Sequence, residues 1–146
     1  MDVDMPRIDT HHHAIPPRYR LALEKAGIDQ AGGRPLPEWS VESSLATMSK
    51  LGVSTAILSA STPGTSFLSD GTQAGALARD INDDLAAVVD AHPARFGFLA
   101  TIPLPHRAES VAEATRALDD LHADGVMLLA NSAGSYLGEA GHDDLW

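Results

Sequence analysis

The chain has 146 residues, 44% of them hydrophobic and none of them cysteine, with 20 acidic against 10 basic side chains and a formal net charge of -10. That length and apolar content fit one globular domain with a buried core, and the acidic balance excludes nucleic acid and anionic membrane surfaces as partners. Disulfides and thiolate metal ligands are excluded as well, so any metal must be held by histidine and carboxylate. The opening MDVDMPR has neither a basic nor an apolar leader region, and no apolar run approaches the roughly 18 residues of a membrane span, so the expected location is cytoplasmic.

In chain order, PRIDTHHH reads as a first strand, followed by a polar excursion, AGIDQAGGRPLPE, rich in glycine and proline. Val41, Leu45, Met48 and Leu51 fall at helical spacing, with Ser40 as N-cap and Gly52 just past the end. VSTAILSAS, apolar on both faces, is a second strand; the turn-rich TPGTSFLSDGTQ leads to a second helix marked by Leu77, Ile81, Leu85 and Val88 and stopped by Pro93. RFGFLATIP gives a third strand, Val111, Ala114, Leu118 and Leu121 the stripe of a third helix, and GVMLLAN a fourth strand. In the closing stretch, residues 143–146 read as the opening turn of another helix.

Strands apolar on both faces and separated by helices predict a parallel sheet with covering helices and right-handed crossovers. Two architectures carry that pattern: a small doubly wound sheet, or the first half of a (β/α)8 barrel, whose usual length is about 250 residues.

The histidines of IDTHHHAIPPRY are too few for a purification tag and stand in a strand context. Strand alternation predicts Asp9, His11 and His13 on one side and Thr10 and His12 on the other. Two imidazoles about 7 Å apart on one face can converge on one ion, and at the C-terminal end of a barrel strand they face the mouth. Zinc suits these ligands best, with manganese or iron as alternatives. His92 and His122 read as surface residues at helix ends, His106 as part of an entry loop, and His142 as a poor ligand candidate.

Taken together, IDTHHHAIPPRY, LPEWSVESSLATMSKLGVSTAILSASTPG, HPARFGFLATIPLP and DGVMLLANSAGSYLG resemble the amidohydrolase-related family that includes aminocarboxymuconate semialdehyde decarboxylase, with the look of its 6-methylsalicylate decarboxylase type. The resemblance implies the N-terminal half of a metal-dependent-hydrolase-type (β/α)8 barrel over residues 1–146, about four parallel strands, stopping before strands five to eight. It makes His11 and His13 metal ligands and His12 structural, and it places the other ligands, two histidines and an aspartate, beyond Trp146 together with the catalytic groups. GVMLLAN contains no lysine to bridge two metals, which implies a mononuclear site.

The implied activity is nonoxidative decarboxylation of a hydroxylated aromatic acid. The alternatives are a metal-dependent hydrolase, or an inactive half-barrel acting only as an association module. Substrate-contact candidates at strand ends are Asn131, Tyr136 and Ser61, and Arg18 offers a planar fork to a substrate carboxylate. The expected partners are a small carboxylic acid and either a second copy or a complementary C-terminal half, docked on the free edges near Arg7 and Gly125.

Overall fold

The computed structural model describes residues 6–140 and 142–146; residues 1–5 of the acidic leader and Gly141 lie outside the described residues. In chain order the elements are β1 (Arg7–Ala14), α1 (Pro17–Lys25), a hairpin of β2 (Gln30–Ala31) and β3 (Arg34–Pro35), α2 (Val41–Leu51), β4 (Val53–Ala60), α3 (Gly71–Ala91), β5 (Phe96–Thr101), α4 (Arg107–Asp119), β6 (Gly125–Met127), and a hairpin of β7 (Asn131–Ser132) and β8 (Ser135–Tyr136).

Local chemistry accounts for the element ends. Ser40 caps α2 through a reciprocal box with Ser43, each side chain bonding the other's backbone N–H, and Gly52 closes the helix at φ 65. Asp70 accepts from the Gln73 N–H at the start of α3. The stretch between β1 and α2 holds two elements that the apolar pattern does not announce. The first is α1, opened by Pro17 and burying only Tyr19 and Leu23; the second is the β2–β3 hairpin, turned by Gly32 and Gly33 at φ 57 and 75.

β1, β4, β5 and β6 form one parallel sheet in the order β1-β4-β5-β6. Spatial order equal to chain order leaves no switch point, so the doubly wound alternative is excluded and the winding is that of a barrel half. One face is closed by helices: Ala56 pairs with Phe96 and Leu58 with Phe98, all buried, in a core shared with Met48, Ile81, Leu85 and Ala117. Each large apolar side chain there stabilises the fold by about 1.5–3 kcal/mol. The other face is more open: Ile8 is 63% exposed, and Ile57 and Leu99 are half-buried.

Two expectations are corrected. The fourth strand does not run through GVMLLAN; pairing ends at Met127, and Asn131 begins the β7–β8 hairpin instead, where Asn131 pairs with Tyr136. Residues 143–145 form a turn, not a helix, closed by the Leu145 N–H on the His142 carbonyl at 3.0 Å. Among the described residues no helix is long and apolar enough to cross a membrane.

Candidate metal centre

At the end of β1 the strict alternation of a flat strand fails. Asp9 pairs with Ala56 and His12 with Leu58, so two residues of β1 stand opposite one of β4, a bulge. The extra residue reverses the faces after Asp9, and the expected grouping of Asp9 with His11 and His13 is corrected. Asp9 instead shares a side with His12: its Oδ2 lies 3.0 Å from His12 Nδ1, while its Oδ1 accepts from the His11 N–H at 3.1 Å. His12 Nε2 completes the chain on the Ser44 hydroxyl of α2 at 3.0 Å. The hydrogen bond from His12, then that from the His11 backbone, hold the Asp9 carboxyl below the usual range. His12 is thus a strut that pins the bulge to α2.

That strut frees its two neighbours for one task. His11 and His13 stand edge to face with ring centroids 4.6 Å apart and their Nε2 atoms 2.9 Å apart. One nitrogen must lend its proton to the other's lone pair, so both rings are aimed at a common point. Partial desolvation of the otherwise exposed ring, then the neighbouring His11, lower the pKa of His13, partly offset by a hydrogen bond to the Ser59 backbone, a shift toward the neutral imidazole that metal binding requires. Two imidazoles converging through Nε2 fit a divalent ion as half of a four-coordinate set. Among the described residues no group of three or more histidine or carboxylate side chains is placed to hold one, so the other half is not supplied here.

A cleft of about 460 Å³ lies at the C-terminal ends of β4, β5 and β6, and its lining begins at Ala60, which pairs with Ala14 of β1. Its first wall, the loop after β4, begins where the Ser61 N–H meets the Ala14 carbonyl of β1. That loop is held by Tyr19: the buried phenol donates to the Ser61 carbonyl and accepts from the Gly64 N–H, both at 2.7 Å, and burial pushes its pKa well up. Its second wall, the end of β5, is held by Asn82 of α3. The Asn82 amide donates to the Thr101 carbonyl at 2.9 Å and accepts from the Thr101 N–H at 2.8 Å. Its remaining donor reaches Glu113 at 2.8 Å, a carboxylate 2% exposed that Arg116 grips with two nitrogens at 2.7 and 2.9 Å.

The substrate-contact candidates separate here. Ser61 and Asn131 line the cleft, whereas Tyr136 is outside it and 59% exposed. Arg18 does not line the cleft; its half-exposed guanidinium pairs with α3, with Nε and Nη2 on Asp84 at 2.8 and 2.6 Å and Nη1 on Asp80 at 2.6 Å. His106 precedes α4 and reaches the Leu68 carbonyl at 3.3 Å, and His92 ends α3 edge-on to Phe96. His142 is buried, with Nδ1 3.4 Å from the Glu139 carbonyl, away from the pair. Sequence reasoning missed Tyr19, Asn82 and Glu113; the i, i+4 pair Tyr19 and Leu23 after a double proline was the one available signal for the first.

Comparison with known proteins agrees with this geometry. Curated relatives are 39% to 44% identical to the chain. One, the 6-methylsalicylic acid decarboxylase acuB of Aspergillus aculeatus, is 41% identical over 143 residues, 96% of this chain and 43% of that protein. The crystal structure of an amidohydrolase II superposes with a TM-score of 0.88 at 32% identity, over 95% of this chain and 45% of its own. The dihydroxybenzoic acid decarboxylase of Polaromonas sp. JS666, solved with bound manganese and the inhibitor 2-nitroresorcinol, superposes with a TM-score of 0.70 at 25% identity, over 87% of this chain and 39% of that one. The chain spans 40% to 44% of the length of the curated relatives it matches. A model of the amidohydrolase family matches residues 8–146, and the chain belongs to that family.

Proposed function

We propose that this chain supplies the first two metal ligands, His11 and His13, and part of the aromatic-acid cleft of a metal-dependent nonoxidative decarboxylase. The observation that carries the reading is the convergence of the two Nε2 atoms, 2.9 Å apart, at the C-terminal end of the first strand of a barrel-type sheet. The names of the relatives support it, since they are decarboxylases of hydroxylated aromatic acids. The metal is proposed to be a single divalent ion; zinc suits the donor set, and manganese, bound by the Polaromonas relative, or iron would also be accepted. The domain is read as the N-terminal portion of such a barrel over residues 1–146, working in the cytoplasm.

A divalent ion held by His11 and His13 would supply Lewis-acid chemistry, stabilising negative charge on the bound acid. The chain's own groups prepare that step. His11 and His13 present their Nε2 atoms; His12, Asp9 and Ser44 fix the strand end; and the cleft gives the aromatic ring a place to lie. In balance, a proton drawn from solvent adds to the ring carbon that bears the carboxylate, and the C–C bond to that carboxylate then breaks, its electron pair restoring the aromatic ring as carbon dioxide leaves.

The test is carbon dioxide release from 6-methylsalicylate by this chain joined to a segment that provides the remaining ligands. Release lost in His11→Ala and His13→Ala supports the reading. Rapid amide or ester hydrolysis without release would move the protein to the hydrolase alternative. We also propose that the free edges of β1 and β6 take up that complementary half or, failing it, a second copy. Size-exclusion chromatography with light scattering tests this, and a cooperatively folding monomer that ignores the complementary half would overturn it.

A further inference from the structure

Past Leu58 and Phe98 the parallel sheet divides. β4 and β5 pair from Ala56 with Phe96 to Leu58 with Phe98; beyond that, β4 runs on to Ala60 beside β1, and β5 runs on to Thr101 beside β6. The cleft opens at these ends, lined by Ala60 of β4, Thr101 of β5 and Met127 of β6. Of those three sheet residues Thr101 has the one polar side chain; the other hydroxyls of the cleft lie on the loop after β4 or on the β7–β8 hairpin.

From this arrangement we infer, resting on the decarboxylase reading above, that the Thr101 hydroxyl is a contact to the bound acid and that Asn82 is the residue that positions it. Asn82 takes the place beside Thr101 that β4 has left: its amide donates to the Thr101 carbonyl and accepts from the Thr101 N–H. The backbone of Thr101 is thereby fixed on that side, and neither bond takes the hydroxyl. Phe98 and Ala100 turn into the helix-covered core, so strand alternation turns Thr101 to the opposite face, where the cleft lies. Among the described residues no lysine or arginine lines the cleft, so an acid oxygen that turns away from the histidine pair needs a neutral donor, which a hydroxyl supplies. A strand residue with its backbone locked holds such a donor more precisely than a loop residue does.

The network behind Asn82 supports a task beyond stability. The second N–H of the amide goes to Glu113, a carboxylate 2% exposed that Arg116 grips with two nitrogens and Arg79 approaches at 3.5 Å. Apolar side chains of similar volume hold a helix on a sheet as well as a buried ionic network does; what the network adds is a single orientation for the amide, and through it for Thr101.

The experiment is an NMR titration of the zinc-supplemented 146-residue chain with 6-methylsalicylate, on the parent, Thr101→Val, Thr101→Ser and Asn82→Asp. Thr101→Val keeps the backbone bonds to Asn82 and should bind the acid roughly 10-fold more weakly at an unchanged urea midpoint, whereas Thr101→Ser should bind within about twofold of the parent. Asn82→Asp keeps the acceptor for the Thr101 N–H and loses both donors, and it should weaken binding as well. Combined with Thr101→Val it should cause no greater loss than Thr101→Val alone, because the one residue acts through the other. Unchanged affinity in Thr101→Val, equal weakening in Thr101→Ser, additive losses in the double variant, or no binding of the acid by the parent would each overturn the inference; the two Thr101 variants decide the contact even where Asn82→Asp fails to fold. Failure here is distinct from failure of the proposed function. Hydroxyl-dependent binding without carbon dioxide release by the joined protein overturns the reaction and leaves the contact, while release with hydroxyl-independent binding does the reverse.

Discussion

Asn82→Ala is expected to cost a large part of the domain's stability. The amide sits fully buried on α3 and replaces a neighbouring strand for Thr101, satisfying both its N–H and its carbonyl, while its third bond goes to Glu113. Truncation removes three hydrogen bonds, strands one backbone donor and one backbone acceptor away from water, and loosens the carboxylate that Arg116 also holds. At about 1–3 kcal/mol for each of the two stranded groups, with about 1 kcal/mol for the side-chain bond, the loss comes to about 3–7 kcal/mol. Against the 5–15 kcal/mol that roughly bounds a domain's stability, this is a large fraction, so the variant should unfold at markedly lower urea. Circular dichroism in a urea series, with the slope compared between variant and parent, reads it directly. A loss below about 1 kcal/mol at unchanged slope would mean that Thr101 finds other partners and that the end of β5 is not held by Asn82.

Tyr19→Phe should cost about 1–3 kcal/mol by leaving the Ser61 carbonyl and the Gly64 N–H without their partner, and hydrogen exchange at Gly64 should quicken. The pH sign follows from the raised Tyr19 pKa: its contribution is intact below the unfolded value near 10 and is lost as pH rises, by about 1.4 kcal/mol per unit, so the parent should lose stability there relative to Tyr19→Phe. Parallel pH-stability curves for the two proteins would contradict the buried-phenol assignment. Arg18→Ala, which breaks half-exposed ion pairs between α1 and α3, should cost no more than about 1 kcal/mol and leave 6-methylsalicylate affinity unchanged. A tenfold loss of affinity at unchanged stability would restore it as a carboxylate clamp.

What the sequence discloses follows from how local each feature is. Ser40 and Gly52 bracket α2 as read because capping is decided within one turn, and VSTAILSAS reads as a buried strand because its own residues are apolar on both faces. His11 and His13 are legible for the same reason: two residues apart on one strand, they share a face whatever the register against β4. The face of Asp9 is not legible, because the bulge that moves it exists only in the register of β1 against β4. Arg18 was offered to substrate because its true partners, Asp80 and Asp84, lie 62 and 66 residues away. Glu113 looks like solvated helix surface in sequence and is buried only because Asn82 and Arg116 satisfy it across two helices. Helix α1 was hidden by brevity, since nine residues with two buried side chains leave little periodicity to detect.

The central claim is that His11 and His13 jointly hold a divalent ion, and titration of the 146-residue chain with Mn2+ under imidazole-resolved NMR tests it most directly. Paramagnetic broadening should reach the ring signals of His11 and His13 first, at metal concentrations that leave His92, His106, His122 and His142 sharp. It should disappear in the double variant His11→Ala, His13→Ala. Broadening of all histidines together, or broadening of the others that persists in the double variant, would show that the convergence of the two Nε2 atoms is a hydrogen bond within the strand and not the beginning of a metal site.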